Sequence, residues 1–323
     1  MEGFTAEKAA FRFHDDNGND FDFLTSYSHE RMRRLDSICV GDYQRLRRHT
    51  TKTPKFTMPA PSAFHFFRGD ACRNLAVYPD IEQWWADLLS VYQLEITELN
   101  NAGCTYLQLD EVPLAMLCDP DVQRKAVEIG LTPDKLVDQY VALINQVRSY
   151  CAPEMTVAMH MCRGNFRSRW LSRGGYEALA ERLFNELDIN AFLLEYDSER
   201  AGDFQPLRFV PEEKTAVLGL INSKMAELES HEEIKRRIDD AAKVLPVEQL
   251  ALSPQCGFAS VAGGNTLNED EQMATLRLVV EIAEAPHQRH LQGQACACEN
   301  RSLFFRTLKG AHTRSAKDFR VPR

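Results

Sequence analysis

His160 and Cys162, two side chains that can bind a metal, lie two residues apart in the apolar stretch Thr156–Cys162. Because side chains alternate along a β-strand, residues two apart point to the same face. Imidazole nitrogen and thiolate sulfur are both zinc ligands, and α/β-barrel enzymes keep their active sites at the carboxyl ends of the strands. Alone, however, a His-x-Cys pair is only a weak signal of a metal site at the end of this strand.

Two more candidate ligands follow apolar runs. Glu195 ends the run Phe192–Glu195, where a buried carboxylate costs several kcal/mol unless it is paired or binds a metal. Cys256 follows another run, and a lone cysteine there would ordinarily be structural, just as a lone Glu195 could simply leave the sheet at a loop. Together with His160 and Cys162 they supply one nitrogen, one oxygen and two sulfurs. That set suits tetrahedral zinc with one displaceable ligand.

Short apolar runs alternate with longer amphipathic runs from about residue 53 onward, which is typical of repeated βα units and a mainly parallel sheet. The predicted strands are Lys55–Met58, Thr105–Leu109, Thr156–His160, Ala191–Glu195, Ala216–Ile221 and Gln249–Ser253. Predicted helices begin at Pro79-Asp80 and at Thr132-Pro133-Asp134, and two more cover Tyr176–Leu187 and His231–Leu245. We therefore expect an α/β fold of the TIM (β/α)8-barrel type. Six strands are two short of eight, so a complete first βα unit is not evident.

The chain divides into three predicted parts. Residues 1–50 form an N-terminal segment that could be an incomplete first barrel unit, with Phe21–Tyr27 as one candidate strand. Residues 51–286 form the zinc-binding barrel domain. Residues 287–323 lose hydrophobic periodicity, gather basic side chains and are predicted to be an irregular tail, whose Cys296 and Cys298 we interpret as incidental rather than as a second metal pair.

Composition narrows the class of protein. A length of 323 residues suffices for one barrel of about 250 residues with extensions, or for two average domains, and length alone does not choose between them. A formal net charge of -9 argues against a general nucleic-acid binder. We find no signal peptide and no apolar window of the ~18 residues that a membrane span needs, so a cytoplasmic protein without membrane partners is expected. The nine cysteines are scattered and are expected to be reduced.

Three separated elements carry a family resemblance: His160–Cys162, Leu194–Asp197 and Ser253–Gly257. In order and strand position they resemble the C-terminal catalytic domain of the cobalamin-independent methionine synthase family (5-methyltetrahydropteroyltriglutamate–homocysteine methyltransferase), in its short single-barrel branch. The resemblance covers roughly residues 53 to 285. It implies transfer of a methyl group to a thiol, homocysteine giving methionine. It also implies that zinc is held by His160, Cys162, Glu195 and Cys256.

The resemblance extends to the substrate side, with two departures. Asp110 matches the aspartate that holds the homocysteine ammonium, and we assign Asp110 and Glu111 to substrate binding; the alternative is that Asp110 caps the next turn. Asn222 stands at the family's proton-donor position, where the family has histidine, and an amide is not a general acid. Met116 replaces a folate-contacting glutamate. The methyl donor is therefore left open between a folate-like molecule and another donor.

Several alternatives stay open. The segment Arg163–Arg169 could hold a substrate carboxylate or an anionic donor tail, or could be a solvated loop, and His65 is more typical of a core histidine than of a ligand. Another zinc alkyl-thiol transferase fits the same barrel. A relative of uroporphyrinogen decarboxylase would leave the histidine and cysteines without a purpose. A non-catalytic remnant acting as a binding protein is the alternative outside enzymes, and a homodimer would cover exposed strand edges.

Overall fold

A computed structural model describes residues 1–259 and 264–284 of the chain. The strands in these ranges are β1 Glu2–Lys8, β2 Phe13–His14, β3 Asp20–Phe21, β4 Leu24–Arg33, β5 Phe56–Pro59, β6 Tyr106–Asp110, β7 Thr156–Met161, β8 Ala191–Glu195, β9 Thr215–Ile221 and β10 Leu250–Pro254. The α-helices are α1 Val40–Arg48, α2 Ala63–Phe66, α3 Ile81–Asn101, α4 Pro113–Met116, α5 Pro120–Glu128, α6 Pro133–Ser149, α7 Ala180–Glu186, α8 His231–Ala241 and α9 Glu269–Glu284.

Strands β5 to β10 form one parallel sheet, in the order β10-β9-β8-β7-β6-β5. Each of the six predicted strands overlaps one of these strands, so the α/β class and the succession of βα units are confirmed. The apolar runs explain the arrangement, because strands of a parallel sheet are covered on both faces. Ala191–Glu195 illustrates this, since every residue of β8 is buried.

Helix boundaries follow their local signals in part. Asp80 caps α3 by accepting a hydrogen bond from the Glu82 amide at 3.0 Å, and Pro133 begins α6, as predicted. The predicted helices Tyr176–Leu187 and His231–Leu245 are too long, because α7 begins only at Ala180 and α8 ends at Ala241. At the second of these, Leu245 precedes a proline, which disfavours the helical conformation.

The N-terminal segment pairs within itself. β1 runs antiparallel to β4, and β2 runs antiparallel to β3, so residues 1–50 contribute no strand to the parallel sheet. The prediction of a single strand at Phe21–Tyr27 is wrong, because the chain leaves β3 after Phe21 and starts β4 at Leu24. Phe23, in the break, instead packs its ring against Phe13 and Phe67.

The two faces of the parallel sheet bury different residues. One face packs against the helices and forms most of the hydrophobic core. The other is lined by a small apolar cluster of Ala158, Ala191, Leu193 and Val217. At the β5 margin this second face is open, since Lys55, Thr57 and Pro59 are exposed. The predicted tail at 287–323 lies outside the described residues. Within the described ranges, none of the helices is long and apolar enough to cross a membrane.

Candidate functional site

Three of the predicted ligands meet at the carboxyl ends of the strands. The ligating atoms of His160, Cys162 and Cys256 all lie within 4.8 Å of one another. His160 Nε2 is 3.5 Å from Cys256 Sγ. Cys162 is buried, whereas the other two are half-buried. This cluster contains the borderline-soft nitrogen and sulfur donors that zinc prefers.

The alternation of β7 explains half of this arrangement. Met159 and Met161 are fully buried on the helix side of the sheet, so His160 points to the opposite face. The chain after β10 provides the other half. There the Gln255 amide donates to the Ile221 carbonyl at 2.7 Å, which ties this segment to the end of β9.

A glycine permits the close approach of these strand ends. A Cβ added at Gly219 would lie 2.9 Å from the Leu194 carbonyl oxygen and 3.0 Å from Gln255 Cα. Only the absence of a side chain therefore lets the residues before Cys256 sit against β8 and β9. The Cys256 amide then donates to Ser223 Oγ at 3.3 Å, which orients the thiol.

Glu195 lies beside this cluster but is not part of it. Its side chain is fully buried, and Oε2 accepts a hydrogen bond from the Arg163 amide at 2.6 Å. Oε1 has no hydrogen-bond partner among the described residues and is 3.6 Å from Lys224 Nζ, which has none either. A buried carboxylate oxygen without a donor is costly, so Oε1 is available to a ligand.

The charges of the cluster are shared between neighbours. A hydrogen bond from Cys256 and the nearby His160 lower the pKa of Cys162, although its burial opposes this. The hydrogen bond to Cys162 and burial raise the pKa of Cys256 well above its usual value. Burial works against the charged form of His160, yet the adjacent Cys162 raises its pKa to about 9. Two sulfurs that share one negative charge form a site that a divalent cation would stabilise.

Asn222 connects two loops at the end of β9. Its Nδ2 donates to Asp197 Oδ2 at 2.9 Å, and its Oδ1 accepts from the Lys224 amide at 2.6 Å. Burial raises the pKa of Asp197 to about 6, against the effect of Lys224. Lys224, at the same strand end, interacts electrostatically with Cys162 and Cys256, and the sequence analysis missed it. Its place two residues beyond Asn222, just after an apolar run, is the signal that could have revealed it.

The two predicted substrate-binding residues have different surroundings. Asp110 pairs in register with His160 at the end of β6, is half-buried, and accepts from Gln108 Nε2 at 2.7 Å. Glu111 is fully buried, accepts from the Leu114 amide at 2.8 Å, and also contacts Ser62 Oγ. Burial raises the pKa of Glu111 to about 7. The structure thus places Asp110 next to the cluster and engages Glu111 in the scaffold.

Arg163 is part of the scaffold rather than of a solvated loop. Its guanidinium is buried and donates to the carbonyls of Gly174 at 2.7 Å and Glu195 at 3.1 Å, and to Tyr176 OH at 3.1 Å. These bonds leave it unsuited to binding a substrate carboxylate.

Two further residues from the sequence analysis are also buried. His65 hydrogen-bonds to Tyr140 OH at 2.8 Å and is a core histidine, as its sequence context indicated. Met116, at the position of the folate-contacting glutamate, is fully buried as well.

Comparisons with known proteins identify a family and several relatives that this chain resembles. Residues 79–285 match the model of the cobalamin-independent synthase catalytic domain. YxjH of Bacillus subtilis strain 168, an uncharacterized protein, is 41% identical over 246 residues, covering 76% of this chain and 64% of YxjH. The methionine synthase of Pyrococcus abyssi is 27% identical over 260 residues, covering 80% of this chain and 67% of that synthase.

A solved structure shares the fold. It is a B12-independent methionine synthase from Shewanella sp. W3-18-1 in complex with selenomethionine, with a TM-score of 0.63, 18% identity, and coverage of 85% of this chain and 72% of that one. The chain spans about two thirds of the length of the curated relatives named above.

Proposed function

Because the chain belongs to the family of the cobalamin-independent synthase catalytic domain, we propose that it is a zinc-dependent methyltransferase. It moves a methyl group from a folate-like or other donor to a thiol, and the expected thiol is homocysteine, which becomes methionine. The observation that carries the proposal is the convergence of His160, Cys162 and Cys256, whose ligating atoms lie within 4.8 Å of one another at the strand ends.

The residues present fit a zinc ion. The cluster supplies one nitrogen and two sulfurs, and the unpartnered Oε1 of the buried Glu195 supplies a fourth donor beside them. His160, Cys162, Cys256 and Glu195 would therefore hold the metal. Bound zinc would act as a Lewis acid that lowers the pKa of an incoming thiol, whose ordinary value near ~8.5 leaves it mostly protonated at neutral pH.

Other side chains of the chain position the substrate. Asp110 lies level with His160 across the β6–β7 pair, and this neighbourhood supports the proposal that its carboxylate binds the ammonium of an amino-acid thiol. Asn222 donates to Asp197 and, as an amide, supplies no proton to a leaving group. Met116 offers a folate no polar contact because it is apolar and buried. Asn222 and Met116 therefore favour a methyl donor that needs neither a proton donor at position 222 nor a polar contact at position 116.

Metal content tests the proposal first. The purified 323-residue chain should contain about one zinc ion by mass spectrometry, and Cys162→Ala should lose it because only two close donors remain. Cys151→Ala is the matched control. Cys151 is also buried, but its thiol contacts the Val147 carbonyl at the end of α6. The Cys151→Ala variant should therefore retain zinc.

Measuring turnover then distinguishes an active enzyme from a non-catalytic remnant that acts as a binding protein. The zinc-loaded protein should convert homocysteine to methionine with at least one compound in a panel of methyl donors that includes methyltetrahydrofolates. Zinc without turnover on any donor would favour the binding-protein alternative. A folded protein that neither contains nor takes up zinc would overturn the proposal.

A further inference from the structure

Lys224 is a buried cation beside the proposed metal ligands. Its side chain is 4% exposed, and Nζ has no hydrogen-bond acceptor among the described residues. Its nearest carboxylate oxygen in an ion pair is Glu195 Oε1, at 3.6 Å. A buried ammonium is costly without a partner, so a lysine at this place indicates a charge that it must balance.

The backbone of Lys224 is held from both sides, which limits where its ammonium can reach. Its amide donates to Asn222 Oδ1 at 2.6 Å. Its carbonyl accepts from Ser168 Oγ and from Thr266 Oγ1, each at 3.1 Å. One hydrogen bond within its own turn and two from distant segments therefore fix the backbone of this residue.

Glu195 has one oxygen to offer, and two cations would compete for it. Oε2 is engaged by the Arg163 amide at 2.6 Å, whereas Oε1 is free of hydrogen bonds and lies toward Lys224. Glu195 also stands outside the tight group formed by His160, Cys162 and Cys256. The carboxylate is thus 3.6 Å from the lysine ammonium, and its charge also acts on the thiols of Cys162 and Cys256.

We propose that Lys224 is a positioning residue that makes Glu195 a releasable ligand. A substrate that binds this site as a thiolate, after its proton has passed to solvent, would displace Glu195. The freed carboxylate would then be a buried charge, which Lys224 would balance, while His160, Cys162 and Cys256 would still hold the metal. The inference rests on the proposed function, since it takes this cluster to be the zinc site.

Cobalt(II) bound to the metal-free 323-residue chain provides a spectroscopic test. Its absorption bands report both metal affinity and the arrival of 2-mercaptoethanol, a thiol probe with no ammonium for Asp110. Lys224→Met should tighten cobalt binding and weaken 2-mercaptoethanol binding, each by about tenfold, because Glu195 then has no alternative partner. Lys224→Arg should recover thiol binding, since it restores the positive charge.

A double-mutant cycle with Glu195→Gln isolates the role of the pair. With a neutral amide at 195, Lys224→Met should change 2-mercaptoethanol affinity by less than about twofold. An equal effect in both backgrounds would show a general effect of charge on the metal and would overturn the inference.

Failure of the proposed function gives a different result. A folded wild-type chain that takes up no cobalt would overturn the metal site and this inference together, whereas cobalt uptake without coupling overturns the inference alone. Should Lys224→Met not fold, Lys224→Gln takes its place in the same cycle and is judged by the same outcomes.

Discussion

Glu95 in helix α3 and Glu195 at the end of β8 are both almost completely buried, yet their carboxylates have opposite surroundings. Glu95 accepts hydrogen bonds from Arg34 Nε at 2.7 Å and from the amides of Ile38 and Cys39 at 2.9 and 2.6 Å. Glu195 has one amide donor and one oxygen without any. A carboxylate with all its acceptors engaged builds structure, whereas one with a free oxygen can serve a ligand.

The difference extends to the surroundings of each residue. Glu95 fastens the stretch that follows β4 onto α3, so it joins the N-terminal segment to the barrel. Around Glu195, the loops after β8, β9 and β10 gather buried side-chain atoms that have no partner among the described residues. They include Asp197 Oδ1, Ser198 Oγ, Lys224 Nζ, Glu229 Oε2, Gln255 Nε2 and Asn265 Oδ1. Such a concentration at the strand ends is what a polar ligand site requires.

Replacing Glu95 by leucine is expected to have the largest effect, a loss of folding stability. Glu95→Leu leaves the Arg34 guanidinium, which is 9% exposed, and two backbone amides without their acceptor. We expect the free energy of unfolding to fall by about 3–5 kcal/mol, measured by urea denaturation. Zinc content per folded chain should not change, because Glu95 serves no ligand.

Glu98→Ala is the control for that change. Glu98 contacts the same Arg34, but its side chain is 42% exposed, so its loss should lower the free energy of unfolding much less than the loss of Glu95 does. Equal losses for the two variants, or a loss of zinc in Glu95→Leu, would contradict the comparison between Glu95 and Glu195.

Glu111 sharpens the comparison through pH. Burial raises its pKa from 4.5 to about 7, because its partners are neutral groups and no cation compensates. Between these values the folded state binds more protons than the unfolded state, so stability falls as pH rises. The penalty reaches about 3 kcal/mol above pH ~7. Glu111→Gln removes it, so the variant's stability relative to wild type should increase by about that amount between pH ~4 and ~8.

Glu95 should act in the opposite direction. Burial alone would raise the pKa of Glu95, but the hydrogen bond from Arg34 lowers this pKa below 4.5. Its contribution is therefore complete above that value and is lost as pH falls through the lower, folded-state pKa. Urea unfolding at several pH values measures both effects, and a Glu111→Gln variant with the pH dependence of the wild type would refute the assignment.

The smallest expected effect concerns Gly219. Gly219→Ala forces its Cβ against the Leu194 carbonyl and Gln255 Cα, so the segment leading to Cys256 must shift. We expect zinc affinity to fall by about tenfold, measured by competition with a chelator. Gly257→Ala is the matched control beside Cys256, since its Cβ would meet nothing within 4 Å. Equal zinc affinities in the two variants would show that Gly219 has no influence on the metal site.

Local patterns in the sequence determined the scaffold. Apolar runs of strand length predicted β5 to β10, and Pro133 and Asp80 predicted two helix starts, because these signals act within a few residues. The same alternation brought His160 and Cys162 to one face of β7. In a parallel sheet, strand ends share one edge, so Cys256 was expected beside them, and the structure brings these three side chains together.

Tertiary structure decided what each polar group contacts. The carboxylate of Glu95 has all its oxygens hydrogen-bonded, that of Glu111 has only neutral partners, and that of Glu195 has one oxygen without a partner. The flanking residues do not distinguish the three glutamates. Arg163 is buried in the scaffold instead of being solvated, and Lys224 faces Glu195, because segments far apart in the chain supply or withhold their partners. Burial and hydrogen bonding depend on those distant segments, and a sequence pattern reports only on near neighbours.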